Sequence, residues 1–252
     1  MTWLLGALLT PLVVLWLGQR HLIYLPDRSA PSPPAGVETV QLTPEPGLAL
    51  QAWFLAGPDR LVIVYPGNAG HRGNRTALGE ALHAQGWSVL LVDYRGYGGN
   101  PGRPHESGLL ADARAARRWA DEAGYRTIVY LGESLGCGPA AALAAEVPPD
   151  GLVLRSPFPS LAAVGKVHYS FVPSLLLRDR FPVTEFLLGS GIPIVVVAGS
   201  ADTIIPFPLS QQVARDLEAE LLTVEDADHN DPDLAYGPVL IAAVNEVLES
   251  SR

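Results

Sequence analysis

Beyond residue 37 the chain alternates short apolar, β-branched runs with longer stretches in which apolar positions recur every three or four residues. The runs at 61–65, 89–93, 127–131, 152–154, 194–197 and 221–224 are apolar at nearly every position. Such runs mark strands buried on both faces of a parallel sheet. Ahead of them, residues 38–42 and 49–54 alternate polar and apolar and can pair as a hairpin across 44–47. Between the strands lie helices. Leu109, Ala113, Ala116 and Ala120 make one apolar stripe with Gly124 as its stop. Pro238 opens a last helix over 239–248, at a position where its missing amide costs nothing. The pattern predicts an α/β fold: a mostly parallel, doubly wound sheet with an N-terminal antiparallel hairpin.

Two segments stand outside this alternation. Residues 157–191 form an insertion long enough for a small helical cap, carrying Phe158, Phe171, Leu175, Leu176, Leu177, Phe181 and Phe186. It reads either as an apolar wall for an acyl group or as ordinary packing on the sheet edge. At the other extreme, residues 1–17 carry no charged side chain and are almost wholly apolar, from Trp3 through Leu12 to Leu17. As a helix they would reach about 26 Å, a little short of a hydrocarbon core of about 30 Å, and residues 22–25 extend them. No basic leader and no small-residue cleavage site precede Gln19, so the segment reads as a retained membrane anchor, with a buried N-terminal helix as the alternative. The expected organisation is an anchor over 1–25, a proline-rich linker over 26–36 and one domain over 37–252. Arg20 and Arg28 follow the anchor, so the positive-inside rule places the body on the cytoplasmic side of a single-pass membrane protein.

Composition narrows the classes. With 48% hydrophobic and 17% charged residues the chain can bury a core and is not of the disordered kind. A net charge of −9 argues against nucleic acid, whose binding needs a basic face. Cys137 is the single cysteine, so no internal disulfide can form. Nothing in the sequence sets an oligomeric state.

The chemistry starts at Gly132-Glu133-Ser134-Leu135-Gly136, between a strand and the helix-forming stretch 140–145. This is the strand–turn–helix setting of a G-x-S-x-G nucleophile elbow, in which the two glycines let helix and strand approach a tightly turned serine. A serine hydroxyl needs a base, and His229, alone among six histidines, follows the last expected strand. Asp202 follows the strand at 194–197 and can fix the tautomer of His229. Three residue types, each just past the carboxyl end of a different strand, stand in the order Ser, Asp, His. For the oxyanion, the N–H of Leu135 follows the nucleophile directly, and the N–H of Asn68 lies in the loop Pro66-Gly67-Asn68-Ala69-Gly70.

Other chemistries fit less well. Cys137 as a thiol nucleophile would sit in the first turn of the helix after the elbow, where a small buried residue belongs. The cluster Asp226, Asp228, Asn230 opens like a calcium loop, but Asp231 and Gly237 stand where that loop needs glycine and glutamate. Pro101 stands where a dinucleotide fingerprint needs its third glycine. No metal and no cofactor is implied.

Taken together, 65–70, Asp93-Tyr94-Arg95-Gly96-Tyr97-Gly98, 132–136, Arg155-Ser156-Pro157-Phe158, Asp202 with Ile205-Pro206, and His229-Asn230-Asp231 resemble the N-terminally anchored α/β-hydrolase branch related to serine aminopeptidase-like hydrolases. The resemblance implies the α/β-hydrolase fold and hydrolysis of esters, thioesters or amides on a small-molecule or acyl substrate. The expected activity is acyl-ester or thioester cleavage through an acyl-enzyme. An aminopeptidase-like amide hydrolase and a catalytically silent interaction protein are the other readings. The family's usual His-Gly pair is Pro66-Gly67 here, which bears on support of the oxyanion loop rather than on the triad.

Overall fold

The structure is a computed structural model that describes residues 16–168 and 176–249. Eight strands form one sheet in the order β1-β2-β4-β3-β5-β6-β7-β8. These are β1 (Glu38–Glu45), β2 (Leu48–Leu55), β3 (Arg60–Tyr65), β4 (Ser88–Leu91), β5 (Thr127–Glu133), β6 (Gly151–Arg155), β7 (Ile194–Gly199) and β8 (Glu220–Val224). The expected hairpin is present: β1 and β2 pair antiparallel and β2 joins β4 antiparallel, while all pairs from β4 to β8 are parallel. This is the α/β-hydrolase fold.

The apolar runs are strands because both of their faces are covered. In β3, Leu61, Ile63 and Tyr65 enter a core with α3 (Glu106–Glu122) and α4 (Cys137–Glu146). Val62 and Val64 enter a second core on the opposite face, with α2 (Thr76–Ala84) and α9 (Pro238–Glu246). Fully burying each such side chain contributes about 1.5–3 kcal/mol. After β3 the chain turns one way to β4 and then crosses back to β5 on the other side of β3. The strand order therefore reverses between β3 and β5, the place where open α/β sheets form a crevice at their carboxyl ends.

Within the insertion, α5 (Leu161–His168) and α6 (Val183–Leu187) are helical as expected. Phe171 and Leu175 lie outside the described residues. Phe158 and Phe181 are 2% and 1% exposed and belong to the core, with Phe181 packed against Gly138 of α4. These two aromatics therefore hold the insertion onto the body.

The N-terminal anchor expected over 1–25 lies outside the described residues as far as residue 15. Residues 16–23 are helical (α1), and among the described residues no helix is long and apolar enough to cross a membrane. Both α1 and the segment after it are fastened to the body. Tyr24 is 3% exposed and its hydroxyl meets Asp179, which also takes both arms of Arg20 at 2.9 Å. Gln19 bonds the backbone at Leu176 and Arg178. Within the stretch expected as a linker, the carbonyl of Asp27 accepts from the Gly98 amide at 2.8 Å.

Candidate active site

Ser134 follows β5 immediately, at the reversal of the strand order, with φ of 50°. That left-handed backbone lifts the side chain out of the strand line. The two glycines around it are there for close approach. A Cβ on Gly132 would lie 2.9 Å from the Cα of Cys137 in α4, and one on Gly136 would lie 2.1 Å from the carbonyl oxygen of Tyr65 in β3. Helix and strand each occupy the space of one missing side chain, as the sequence pattern requires.

Asp202 lies in the turn after β7 and His229 in the loop after β8. The structure brings them together: Nδ1 of His229 is 2.8 Å from Oδ2 of Asp202. A carboxylate only accepts, so Nδ1 carries the proton and Nε2 is left as the basic nitrogen. The other oxygen of Asp202 accepts from the amides of Ile204 and Ile205 at 3.0 and 2.8 Å. Burial alone would raise the pKa of this carboxyl, but the His229 ring and the Ile205 amide outweigh it and hold it below the usual range. Ser134, Asp202 and His229 are each 6% exposed. No hydrogen bond joins the Ser134 hydroxyl to the ring among the described residues, and such bonds commonly tighten only when substrate is bound.

The loop after β3 lies directly against Ser134, since a Cβ on Gly67 would meet the Cβ of Ser134 at 3.3 Å and the carbonyl oxygen of Glu133 at 3.2 Å. Asn68 comes next in this loop. Its side chain turns away to the N-terminal segment, accepting from the Leu25 amide and the Tyr97 hydroxyl at 2.9 and 2.8 Å and donating to the Ile23 carbonyl. The side chain thus fastens this loop to the N-terminal segment and to Tyr97.

Several residues around the site carry no signal of their role in the sequence pattern. Asp228 ties the two loops of the pair, taking the amide and hydroxyl of Thr203 at 2.8 Å each and the His229 amide at 2.8 Å. Under the elbow, Glu133 contacts Arg75 and Arg155. For Arg155 alone a hint exists, a charged residue closing the otherwise apolar run Gly151-Leu152-Val153-Leu154-Arg155. Cys137 is fully buried at the start of α4 with its thiol pKa pushed up by desolvation, the opposite of an activated nucleophile. A concavity of 860 Å³ lined by Thr127, Asp150, Ile194 and Glu220 lies at the amino ends of β5–β8, away from Ser134, Asp202 and His229.

Residues 56–179 match the family model Hydrolase_4, described as serine aminopeptidase, S33. That span holds Ser134 and ends before Asp202 and His229. The chain is 44% identical over 253 residues to the Uncharacterized protein Rv2307c of Mycobacterium tuberculosis (strain ATCC 25618 / H37Rv), covering 94% of this chain and 89% of that protein. It is 32% identical over 175 residues to the Lysophosphatidylserine lipase ABHD12 of Danio rerio, covering 60% of this chain and 46% of the lipase, so it spans about half of that relative. Among solved structures, the Pyrococcus furiosus esterase Pf2001 superposes with a TM-score of 0.74 at 21% identity, over 89% of this chain and 98% of the esterase. At that identity the likeness shows the fold.

Proposed function

The chain belongs to the α/β-hydrolase superfamily, in the serine aminopeptidase S33 family, and from that premise we propose that it cleaves carboxylic acyl esters or thioesters with Ser134 as nucleophile, His229 as base and Asp202 as its orienting acid. The observation that carries the reading is the buried 2.8 Å contact of His229 with Asp202 at the same end of the sheet as the strained Ser134 elbow. In this mechanism Nε2 of His229 takes the Ser134 proton as Oγ attacks the substrate carbonyl carbon. The amides of Leu135 and Asn68 receive the oxyanion, each such donor contributing about 2.7–4 kcal/mol to the transition state. His229 then protonates the departing alcohol or thiol, leaving an acyl-Ser134 that water hydrolyses with His229 again as base.

The lipase relative acts, by its name, on lysophosphatidylserine, and exposed apolar side chains at Trp16, Leu17, Leu22 and Leu25 gather on the N-terminal segment that meets the Asn68 loop. Both support an amphiphilic acyl substrate, and with the apolar residues 1–15 they support membrane anchoring of the chain, while Arg20 and Arg28 after that segment favour a cytoplasmic body. The test is labelling by a fluorophosphonate with a panel of short- and long-chain esters, thioesters and aminoacyl amides. Wild type should label and prefer esters or thioesters, with Ser134→Ala lowering turnover by about 10⁴–10⁶-fold and abolishing the label. A folded wild type that neither labels nor hydrolyses sinks the proposal. Preference for aminoacyl amides would move it to a peptidase.

A further inference from the structure

Beneath the nucleophile lies a charged cluster that the acyl-transfer steps do not use. Glu133, the residue before Ser134, has a side chain only 4% exposed, flanked by Arg155 at 6% and Arg75 at 14%. Its Oε2 accepts from Nε of Arg75 at 3.1 Å, and its Oε1 lies 3.5 Å from Nε of Arg155. Each arginine then reaches a different part of the site. Arg75 donates to the carbonyls of Ala69 and His71 at 3.3 and 3.4 Å, and so grips the loop of Asn68. Arg155 donates to the backbone carbonyl of His229 at 2.9 Å, in full burial. Nε of Arg155 has no hydrogen-bond acceptor, so charge orients this guanidinium toward Glu133 while its firm hydrogen bond goes to the histidine loop.

One carboxylate, covalently next to the nucleophile, is thus connected through two guanidinium forks to the oxyanion loop on one side and to the base on the other. Residues 69–71, 133, 155 and 229 come from four separate stretches, and the cluster links them alongside the direct packing of Gly67 on Ser134 and Glu133. Burial would raise the Glu133 carboxyl; Arg155 and Arg75 more than offset it and keep it charged. Stability is a poor reason for such a cluster, because buried ion pairs are often replaceable by apolar residues at little cost to the fold. Geometry is a better one, since a misplacement of about 1 Å can cost about 100-fold in rate.

We propose that Glu133, Arg75 and Arg155 are positioning residues that set the spacing of Ser134, the Asn68 amide and His229, with Arg155 fixing the height of the base through its backbone carbonyl. The proposal rests on the hydrolase reading. Arginine is required because its planar fork serves two partners at once, whereas an ammonium is a single point charge.

The test compares wild type, Arg155→Met, Arg155→Lys, Glu133→Gln and the Glu133→Gln/Arg155→Met double variant for kcat and KM on a short-chain ester and for Tm. Arg155→Met should lower kcat about 10–100-fold with KM within about twofold, and should lower Tm as well because Glu133 keeps only one of its two arginines. In the Glu133→Gln background the same change should cost several-fold less, because the two residues act as one device. Arg155→Lys should fold in any case, and should lose about tenfold in kcat because its ammonium cannot span both partners. Wild-type kcat in Arg155→Lys or in folded Arg155→Met overturns the proposal, as do additive losses in the double variant. A rise in KM with kcat intact overturns it too. If wild type itself neither labels with fluorophosphonate nor hydrolyses, the hydrolase reading fails and takes this one with it; an active wild type with fully active Arg155 variants sinks this one alone.

Discussion

Ser134 holds a backbone conformation that costs a side-chain-bearing residue about 1–3 kcal/mol, and Ser156, at the end of β6, holds another with φ of 49°. The carboxyls nearest to these strained points, Glu133 and Asp202, are both held below their ordinary range by the cations and donors around them. A carboxyl depressed in the fold contributes stability that is present above its unfolded pKa of about 4 and lost as pH falls through its lower folded value. Asp93 and Asp112, pushed up by burial, run the other way, losing their contribution as pH rises. The clean comparison is therefore between variants: the stability gap between wild type and Glu133→Gln should be flat above about pH 5 and shrink below about pH 4. Urea midpoints at several pH values measure it, and a gap that stays constant to pH 3 contradicts the assignment. At this scale the sequence pointed to the contact of Asp202 with His229, because an aspartate and a histidine each follow a strand at the end of the sheet where Ser134 sits between two glycines. Glu133 and Arg155 were not legible as partners, since 22 residues separate them and only the pairing of β5 with β6 brings Glu133 beside Arg155.

Strands declared themselves in the sequence wherever both faces are buried; their ends did not. Residues 89–93 read as one apolar run, but β4 stops at Leu91 because Asp93 leaves the ladder to take the amide and guanidinium of Arg72 at 2.9 and 2.7 Å. The segment from Gln19 to Asp27 reads in sequence as the end of an anchor and the start of a linker because it has no periodicity of its own. Its order comes from partners as far as 159 residues away, at Asp179 and Arg178. Burying Tyr24 alone contributes about 1.5–3 kcal/mol. A chain starting at residue 35 should therefore melt about 5–10 °C below one starting at residue 16, and hydrolyse ester more slowly because Asn68 loses the Leu25 and Ile23 backbones. Thermal denaturation and ester turnover of the two chains decide it. Equal Tm and equal turnover would show that the segment is dispensable.

Across the whole molecule the sheet separates two apolar cores, and the proposed catalytic residues lie buried at the carboxyl ends of the strands. Glu133 and Ser134 belong to the centre of the sheet, whereas Asp202 and His229 belong to its last two strands, so assembly of the site requires the complete β5-β6-β7-β8 run. At the hinge of this arrangement is Cys137, the chain's one thiol, fully buried with its sulfur against the carbonyls of Gly132 and Arg155. The molecule therefore carries a native clock for its own opening. A thiol-exchange reagent should react in a single phase and far more slowly than with free cysteine, and the ratio of the two rates reads the free energy of exposing the elbow helix. Rapid reaction in native buffer would mean that α4 detaches from β5 and β6 long before the sheet comes apart. A rate that follows global unfolding would mean that the seat of Ser134 is among the last parts of the protein to let go.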